Sequence, residues 1–248
     1  MNDIKQVKQL IEQSKKIVLF TGAGISVPSG LKDFRSSNGL WTNNESFESI
    51  ISLSYFKSKP KEFWKYYKEI FESKLLQNYL PNKGHQFFSD LEKKGKEVTV
   101  ITQNIDGLHT KAGSTDVLEM HGTLQTATCP KCKSKYDLEY INNNNIPRCS
   151  KVNGKGNICN FILKPDVVLF GDSIHHFNEA LDKAYEADLF IVVGSSLEVW
   201  PVNQIPEIIT GTDIPTIIIN KSETNMDKYF RICIHDDIVN TIEKVESM

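Results

Sequence analysis

Val18-Leu-Phe-Thr-Gly-Ala-Gly-Ile-Ser26 decides how the chain folds: three apolar residues, Val18, Leu19 and Phe20, stop abruptly at Gly22-Ala23-Gly24. A short buried strand ending at a Gly-x-Gly turn is how a nucleotide-binding sheet begins. Glycine permits the turn and lets a pyrophosphate approach backbone N–H groups. The dinucleotide fingerprint of a dehydrogenase is incomplete, however. Its third small residue is replaced by Val27, and no acidic residue closes a second strand about 20 residues further on to hold a ribose. A long loop follows instead, residues 27–45, rich in Gly, Ser, Asn and Pro, yet carrying Asp33, Phe34, Arg35 and Trp41. Loops of this length in a compact domain are usually functional; the competing reading is a disordered surface loop.

Outward from this stretch the pattern is helix and strand in alternation. Ile4, Val7, Leu10 and Ile11 share one face of a helix over residues 3–15 that leads into the strand at 17–20. Further strands are expected at 98–102, 117–120, 167–170, 189–193, 216–219 and 232–234, with helices at 60–76, 83–94, 175–187 and 237–246. The 60–76 helix starts on Pro60 and carries Phe63, Trp64, Tyr67, Ile70 and Phe71, a stripe that reads as core or as the wall of an apolar pocket. The strands end in Gly, Ser, Asn or Asp, which is where ligands bind in open α/β sheets. The fold expected is α/β, a Rossmann-like doubly wound parallel sheet with an inserted small zinc-ribbon module. Residues 1–122 and 162–248 would form the dinucleotide-binding domain, with a helical insert at about 46–80, and residues 123–161 the module.

Bulk properties exclude several classes. With 248 residues, 40% apolar and 24% charged, the chain can bury a substantial core. A net charge of −2 gives no general pull toward nucleic acid or anionic membrane. The polar opening MNDIKQVKQLIEQSKK is not the pattern of a signal peptide, and no apolar run reaches the roughly 18 residues of a membrane span. A cytoplasmic monomer is expected. In a reducing compartment cysteines are metal ligands or free thiols.

Four of the five cysteines have metal-site spacing. Cys129-x2-Cys132 is followed by 16 residues, Cys149, nine residues and Cys159. The first pair and the 16-residue spacer fit a zinc ribbon, whereas the second pair departs from C-x2-C. No histidine lies between residues 122 and 174 to substitute. Four thiolates close a tetrahedral shell and leave no position for catalytic water, so one structural zinc is expected. The competing reading is a redox C-x-x-C with two unrelated cysteines. Cys233, in a strand, reads as a small buried apolar residue.

Taken together, Gly22-Ala-Gly-Ile-Ser26, Ser29-Gly30, Asp33-Phe-Arg35, Thr102-Gln-Asn-Ile-Asp-Gly-Leu-His109, His121-Gly122, the four cysteines, Phe170-Gly171, Gly194-Ser-Ser-Leu197 with Pro201, and Asn220-Lys221 resemble the sirtuin family in order and approximate spacing. The resemblance runs from about residue 5 to the end. It implies that NAD is consumed as a co-substrate: an acyl group is removed from a protein lysine, yielding nicotinamide and an O-acyl-ADP-ribose. It implies a cofactor set of Gly22, Ala23, Gly24, Ser26, Asp33, Phe34, Arg35, Trp41, Gln103, Asn104, Ile105, Asp106, His121, Gly194, Ser195, Ser196, Asn220 and Lys221. Gly22, Ala23, Gly24 and Arg35 would meet the pyrophosphate, Phe34 would cover the ribose centre and Asp106 would hold the nicotinamide carboxamide. Gln103 and Asn104 would bond the nicotinamide ribose, and Gly194 to Ser196 with Asn220 and Lys221 the adenosine side. His121 is the expected general base, Asn104 its catalytic companion. A histidine of pKa about 6.5 suits that task near neutrality.

The acylated peptide would add as a strand to Val168–Asp172, touching Val168, Phe170, Gly171 and Asp172. Two positions depart from the family: Asp172 stands where Glu is common and Lys32 where Pro is usual. Members that take acidic acyl groups carry Tyr-x-x-Arg where this chain has Trp64-x-x-Tyr67. A buried succinyl carboxylate without a partner would cost several kcal/mol, in order of magnitude, so acetyl and longer neutral acyl groups are expected. Two other functions fit the same scaffold, ADP-ribosyl transfer or NAD hydrolysis, and a non-catalytic module that binds NAD and recognises a partner.

Overall fold

The computed structural model describes residues 2–32, 47–76 and 78–248. Nine strands are found among them: β1 Lys16–Thr21, β2 Glu97–Thr102, β3 Asp116–Glu119, β4 Gly122–Thr128, β5 Lys135–Asp137, β6 Lys164–Val167, β7 Leu189–Val193, β8 Thr216–Ile219 and β9 Ile232–Ile234. Six form one parallel sheet in the order β3-β2-β1-β7-β8-β9. Renumbered within that sheet, the order is 3-2-1-4-5-6, that of a doubly wound dinucleotide fold.

Both faces of this sheet are covered, and its inner strands β1, β2 and β7 are buried at successive positions rather than at alternate ones. Ile17, Leu19, Val98 and Val100 pack on one side against helices Asn2–Gln13, Lys83–Lys93 and Ile238–Glu246. Val18, Phe20, Phe190 and Val192 pack on the other against Phe177–Tyr185 and Gln204–Thr210. Asn82 starts the 83–93 helix as a capping box, its side chain accepting from the Gly84 amide.

A second, three-stranded sheet has the antiparallel order β5-β4-β6. The strand expected at 167–170 is displaced here: it runs at 164–167, antiparallel to β4, and is not part of the parallel sheet. Pro165 looks wrong for a strand, but β6 is an edge strand, where a missing N–H is tolerated. The chain then turns away, and Phe170 makes a single bridge with Ser52. The cysteine segment is poor in large apolar residues, so it shares a core: Leu124, Ala127, Cys129, Ile141, Cys149 and Leu163 pack with Phe56, Phe63, Trp64, Tyr67 and Phe71 of the 53–76 helices. Trp64 Nε1–H donates to the Leu163 carbonyl at 2.7 Å, and the Lys68 ammonium bonds the carbonyls of Ile141 and Asn144 at 2.7 and 2.8 Å, near the end of the Leu138–Asn143 helix. The aromatic stripe of helix Pro60–Leu76 is therefore core, laid against the small sheet.

Candidate active site

β1 and β7 are neighbours, and the turns at their carboxyl ends collide unless both are glycine. A Cβ on Gly22 would lie 2.6 Å from Gly194 O, and one on Gly24 2.6 Å from Gly194 Cα. A Cβ on Gly194, whose φ is +61°, would lie 2.3 Å from the Ile25 nitrogen. The Gly22 amide donates to the Val193 carbonyl at 3.1 Å and the Gly24 amide to the Gly194 carbonyl at 2.8 Å. Two of the three amides expected to face a pyrophosphate thus serve the chain itself. Among the described residues the Ala23 amide has no backbone partner.

The end of β2 supplies the polar centre. The Gln103 amide donates to the Thr21 carbonyl (2.9 Å), and its side-chain Nε2 donates to Ser195 Oγ (2.9 Å), tying the ends of β1, β2 and β7 together. Buried Asn104 donates from Nδ2 to the Gly22 carbonyl at 3.0 Å and to Ser26 Oγ at 3.2 Å. Ser26 Oγ–H in turn donates to Asp106 Oδ2 at 2.8 Å, while Asp106 Oδ1 accepts the Leu108 amide at 2.9 Å. Ile105 is buried in the aromatic core, and its carbonyl accepts the Leu124 amide of β4 at 2.9 Å. The loop after β2 therefore touches both sheets.

His121 stands two residues past the end of β3, next to Gly122 at the start of β4. Its Nδ1 lies 3.0 Å from the Gln103 carbonyl. That oxygen can only accept, so Nδ1 carries the proton and Nε2 is the basic nitrogen. Burial pushes the imidazole below its usual 6.5, and the bond to Gln103 partly offsets this. Gly122 has φ +70°, and a Cβ there would sit 2.0 Å from the Asp166 carbonyl. Only glycine lets the chain pass from the large sheet into the small one at this point.

A buried layer lies beneath these groups, built from residues to which the sequence analysis assigned no role. Thr21 and Thr102, paired in register, bond through their hydroxyls at 2.8 Å. Thr21 gives its proton to Thr102, so His109 Nε2–H is the donor across the 3.0 Å contact to Thr21 Oγ1. Among the described residues His109 Nδ1 has no hydrogen-bond partner. The His109 ring packs on His85 at 4.8 Å, and His85 Nε2 lies 3.4 Å from Ser26 Oγ. Burial drives His85 down to about 4, with Asp106 pulling upward, and holds His109 well below 6.5. A polar residue closing each of two apolar strands was the available signal.

The remaining predicted residues lie at some distance along the same edge or beyond it. Ser195 Oγ also accepts the Leu197 amide at 3.2 Å, and Ser196 is exposed. The Gly194 amide donates to Ile219 O, linking β7 to β8, after which Asn220 and exposed Lys221 follow; the Asn220 amide bonds Ile234 O. Asp33, Phe34, Arg35 and Trp41 lie outside the described residues. In the 168–172 segment the Val168 amide donates to the His121 carbonyl (2.8 Å), the Phe170 amide to Ile51 O, and the Leu53 amide to Phe170 O. Leu169 and Asp172 close a turn on each other, and Lys164 pairs with Asp172 at 2.8 Å. Gly171 has φ +88°, and Phe170 is exposed.

The four cysteine sulfurs lie within 4.8 Å of one another, with Cys129–Cys159 at 3.8 Å and Cys132–Cys149 at 3.3 Å. A tetrahedral zinc with Zn–S of about 2.3 Å sets its ligands roughly 3.8 Å apart. The donor set and its spacing fit that ion. At the opposite, amino ends of β1–β3 lies a cavity of about 570 Å³ lined by Lys16, Glu92, Lys96, Asp116, Lys183 and others. Of its lysines, Lys16 is spent on Glu186, Lys93 on Asp90, Lys96 on the carbonyls of Glu12 and Ser14, and Lys183 on Asp116. It shares no residue with the convergent polar set.

Residues 22–201 match the model of the Sir2 family, the sirtuins. The chain belongs to the Sir2 family. A relative named NAD-dependent protein deacetylase 2, from Geobacillus kaustophilus, is 47% identical over 247 residues, covering 99% of this chain and 97% of its own. A Sir2 structure with a deacetylated p53 peptide and 3′-O-acetyl ADP-ribose superposes with a TM-score of 0.86 at 33% identity, covering 99% and 98% of the two chains. A Sir2 structure with a propionylated peptide superposes at 0.81 and 33% identity, covering 98% and 97%. The Sir2 fold accounts for the parallel sheet and for the small module carrying the cysteine cluster. Among the described residues no helix is long and apolar enough to cross a membrane.

Proposed function

We propose that this chain removes acetyl and longer neutral acyl groups from protein lysines, consuming NAD and releasing nicotinamide and O-acyl-ADP-ribose. The observation that carries the reading is His121, held by Gln103 with Nε2 as its base, one loop away from the Asn104–Ser26–Asp106 network. It sits in a chain 47% identical to a named NAD-dependent protein deacetylase.

NAD supplies the bond whose cleavage drives the reaction. His121 Nε2 takes the proton of a ribose hydroxyl, making that oxygen a nucleophile toward the acyl carbon. Asn104 and Asp106 are fixed by hydrogen bonds before the cofactor arrives, so little reorganisation is needed on binding. Gln103 and Ser195 orient the two halves of the cofactor site relative to each other. Asn220, Lys221 and Ser196 hold the adenosine end, while Ala23 and the segment carrying Asp33, Phe34, Arg35 and Trp41 hold the pyrophosphate and cover the ribose. The NAD-binding unit is residues 1–122 and 162–248, and the zinc module is 123–161, with β6 lending it a third strand.

The peptide enters beside 168–172. The inner amide and carbonyl of Phe170 are already paired with Ile51 and Leu53, so the peptide pairs along the outer edge, through Val168 O and Gly171. The Phe63, Trp64 and Tyr67 rings pack among apolar side chains and cysteines, and Lys68 of the same helix spends its ammonium on carbonyls. Acetyl- and propionyl-lysine peptides are turned over; succinyl-lysine peptides are not. The enzyme acts in the cytoplasm as a monomer on acyl-lysine proteins.

Product analysis by mass spectrometry, with NAD and an acetyl-lysine peptide, tests the reading. O-acetyl-ADP-ribose is expected. Free ADP-ribose alone would make the chain a hydrolase, modified protein a transferase, and intact NAD a binding module.

A further inference from the structure

The two halves of the cysteine cluster are built differently. In the first, the chain turns back within Cys129–Cys132, closed by the Lys133 amide on the Cys129 carbonyl (3.0 Å). This turn brings the Cys132 amide to 3.5 Å from Cys129 Sγ, so a backbone donor faces the sulfur. No such turn follows Cys149. Residues 150–158 run out and back as a hairpin: Val152 is bridged to Ile158, the Asn153 amide bonds Asn157 O, and the Cys159 amide bonds Lys151 O. The first two amides after Cys149, those of Ser150 and Lys151, do not face its sulfur. Both donate to the hydroxyl oxygen of Tyr136, at 2.8 and 3.2 Å. The Tyr136 O–H then donates to Cys149 Sγ at 3.2 Å.

We propose that Tyr136 is a positioning residue of the metal centre, relaying two backbone amides through its hydroxyl to the Cys149 thiolate and so replacing the donor that the missing second C-x2-C turn would have supplied. This rests on the reading of the four cysteines as a zinc site. A thiolate that receives a hydrogen bond carries less free charge, is oriented toward the metal and is harder to displace. The geometry is suited to the task. Tyr136 lies on β5, opposite Ala127 of β4, and its ring packs on Tyr140 at 4.5 Å. Ladder and ring fix the side chain, and the hydroxyl reaches the sulfur. The nine-residue spacer between Cys149 and Cys159 becomes tolerable because the relay takes over the amides the hairpin diverts.

Tyr136→Phe removes the relay and keeps the ring. Tyr140→Phe is the matched control: it removes a hydroxyl that donates to the Arg148 carbonyl at 2.6 Å, next to Cys149 but not to sulfur. Full-length zinc-loaded protein is challenged with a chromogenic chelator, and zinc transfer is timed. Tyr136→Phe is expected to bind zinc about 10–100-fold more weakly than the unaltered protein, seen as faster transfer, with Tyr140→Phe unchanged. In cobalt(II)-substituted protein the sulfur-to-metal charge-transfer band should move to lower energy in Tyr136→Phe only. A Tyr136→Phe protein that loses its metal during purification while Tyr140→Phe keeps it also supports the relay. Unchanged transfer and an unchanged cobalt band in Tyr136→Phe overturn it, as does an equal effect of both variants. If the unaltered protein contains no zinc, the zinc reading fails instead.

Discussion

His121 has one fixed nitrogen and one basic nitrogen, and that asymmetry sets what it does. With Nδ1 committed to the Gln103 carbonyl, His121→Ala should abolish deacylation while zinc content stays unchanged; substantial residual turnover would remove it from the mechanism. Catalysis needs the neutral imidazole, and burial lowers its pKa below 6.5. The acid limb of kcat/KM should therefore fall with an apparent pKa below 6.5, leaving a flat rate from pH 7 upward. A limb centred above 7 would contradict this. The buried pair His85 and His109 gives a separate signature. Both are neutral in the fold at pH values where the unfolded chain protonates them. Stability is thus full above pH 6.5 and falls as pH drops below it, toward about 4 for His85. Urea midpoints at pH 7 and 5 measure it, and equal midpoints would refute it. Gly194→Ala should cost on the order of 3 kcal/mol, because the new Cβ meets backbone at a positive φ.

At the scale of elements, the small sheet and the aromatic helix stand or fall together. The small sheet's apolar residues and Cys129 and Cys149 share a core with Phe63, Trp64 and Tyr67, so removing zinc should loosen more than the module. Chelation is expected to collapse the near-UV circular dichroism contributed by Trp64 and to halt deacylation, while the helices on the parallel sheet keep their far-UV signal. An unchanged near-UV spectrum in metal-free protein would uncouple the two. This element was the least legible in the sequence. The 167–170 run reads as a strand of the parallel sheet from its apolar composition, yet Val167 and Leu169 share a core with rings from a helix about 100 residues earlier, a partner that periodicity cannot reveal. The cysteine spacing was legible because four soft ligands need little context; the Tyr136 relay was not, since a hydroxyl's partner depends on how the hairpin folds.

For the whole molecule, the alternation of apolar runs with Gly, Ser, Asn and Asp at their ends was enough to read a doubly wound sheet. The strand order confirms it by placing Gly22 of one half against Gly194 of the other. What the sequence could not assign was the work of those glycines. Read alone they are a phosphate loop; in the fold they are first a packing contact between two strand ends, and two of their amides are spent there. The same order gathers Asn104, Asp106, His121 and Ser195 at one edge, where cleavage of NAD would be coupled to an acyl group. That coupling is the central claim. Nicotinamide release should be measured with and without an acetyl-lysine peptide, alongside the deacetylated peptide formed. The account predicts one nicotinamide per deacetylated lysine and little release without peptide. Nicotinamide released at the same rate whether or not the peptide is present would contradict it.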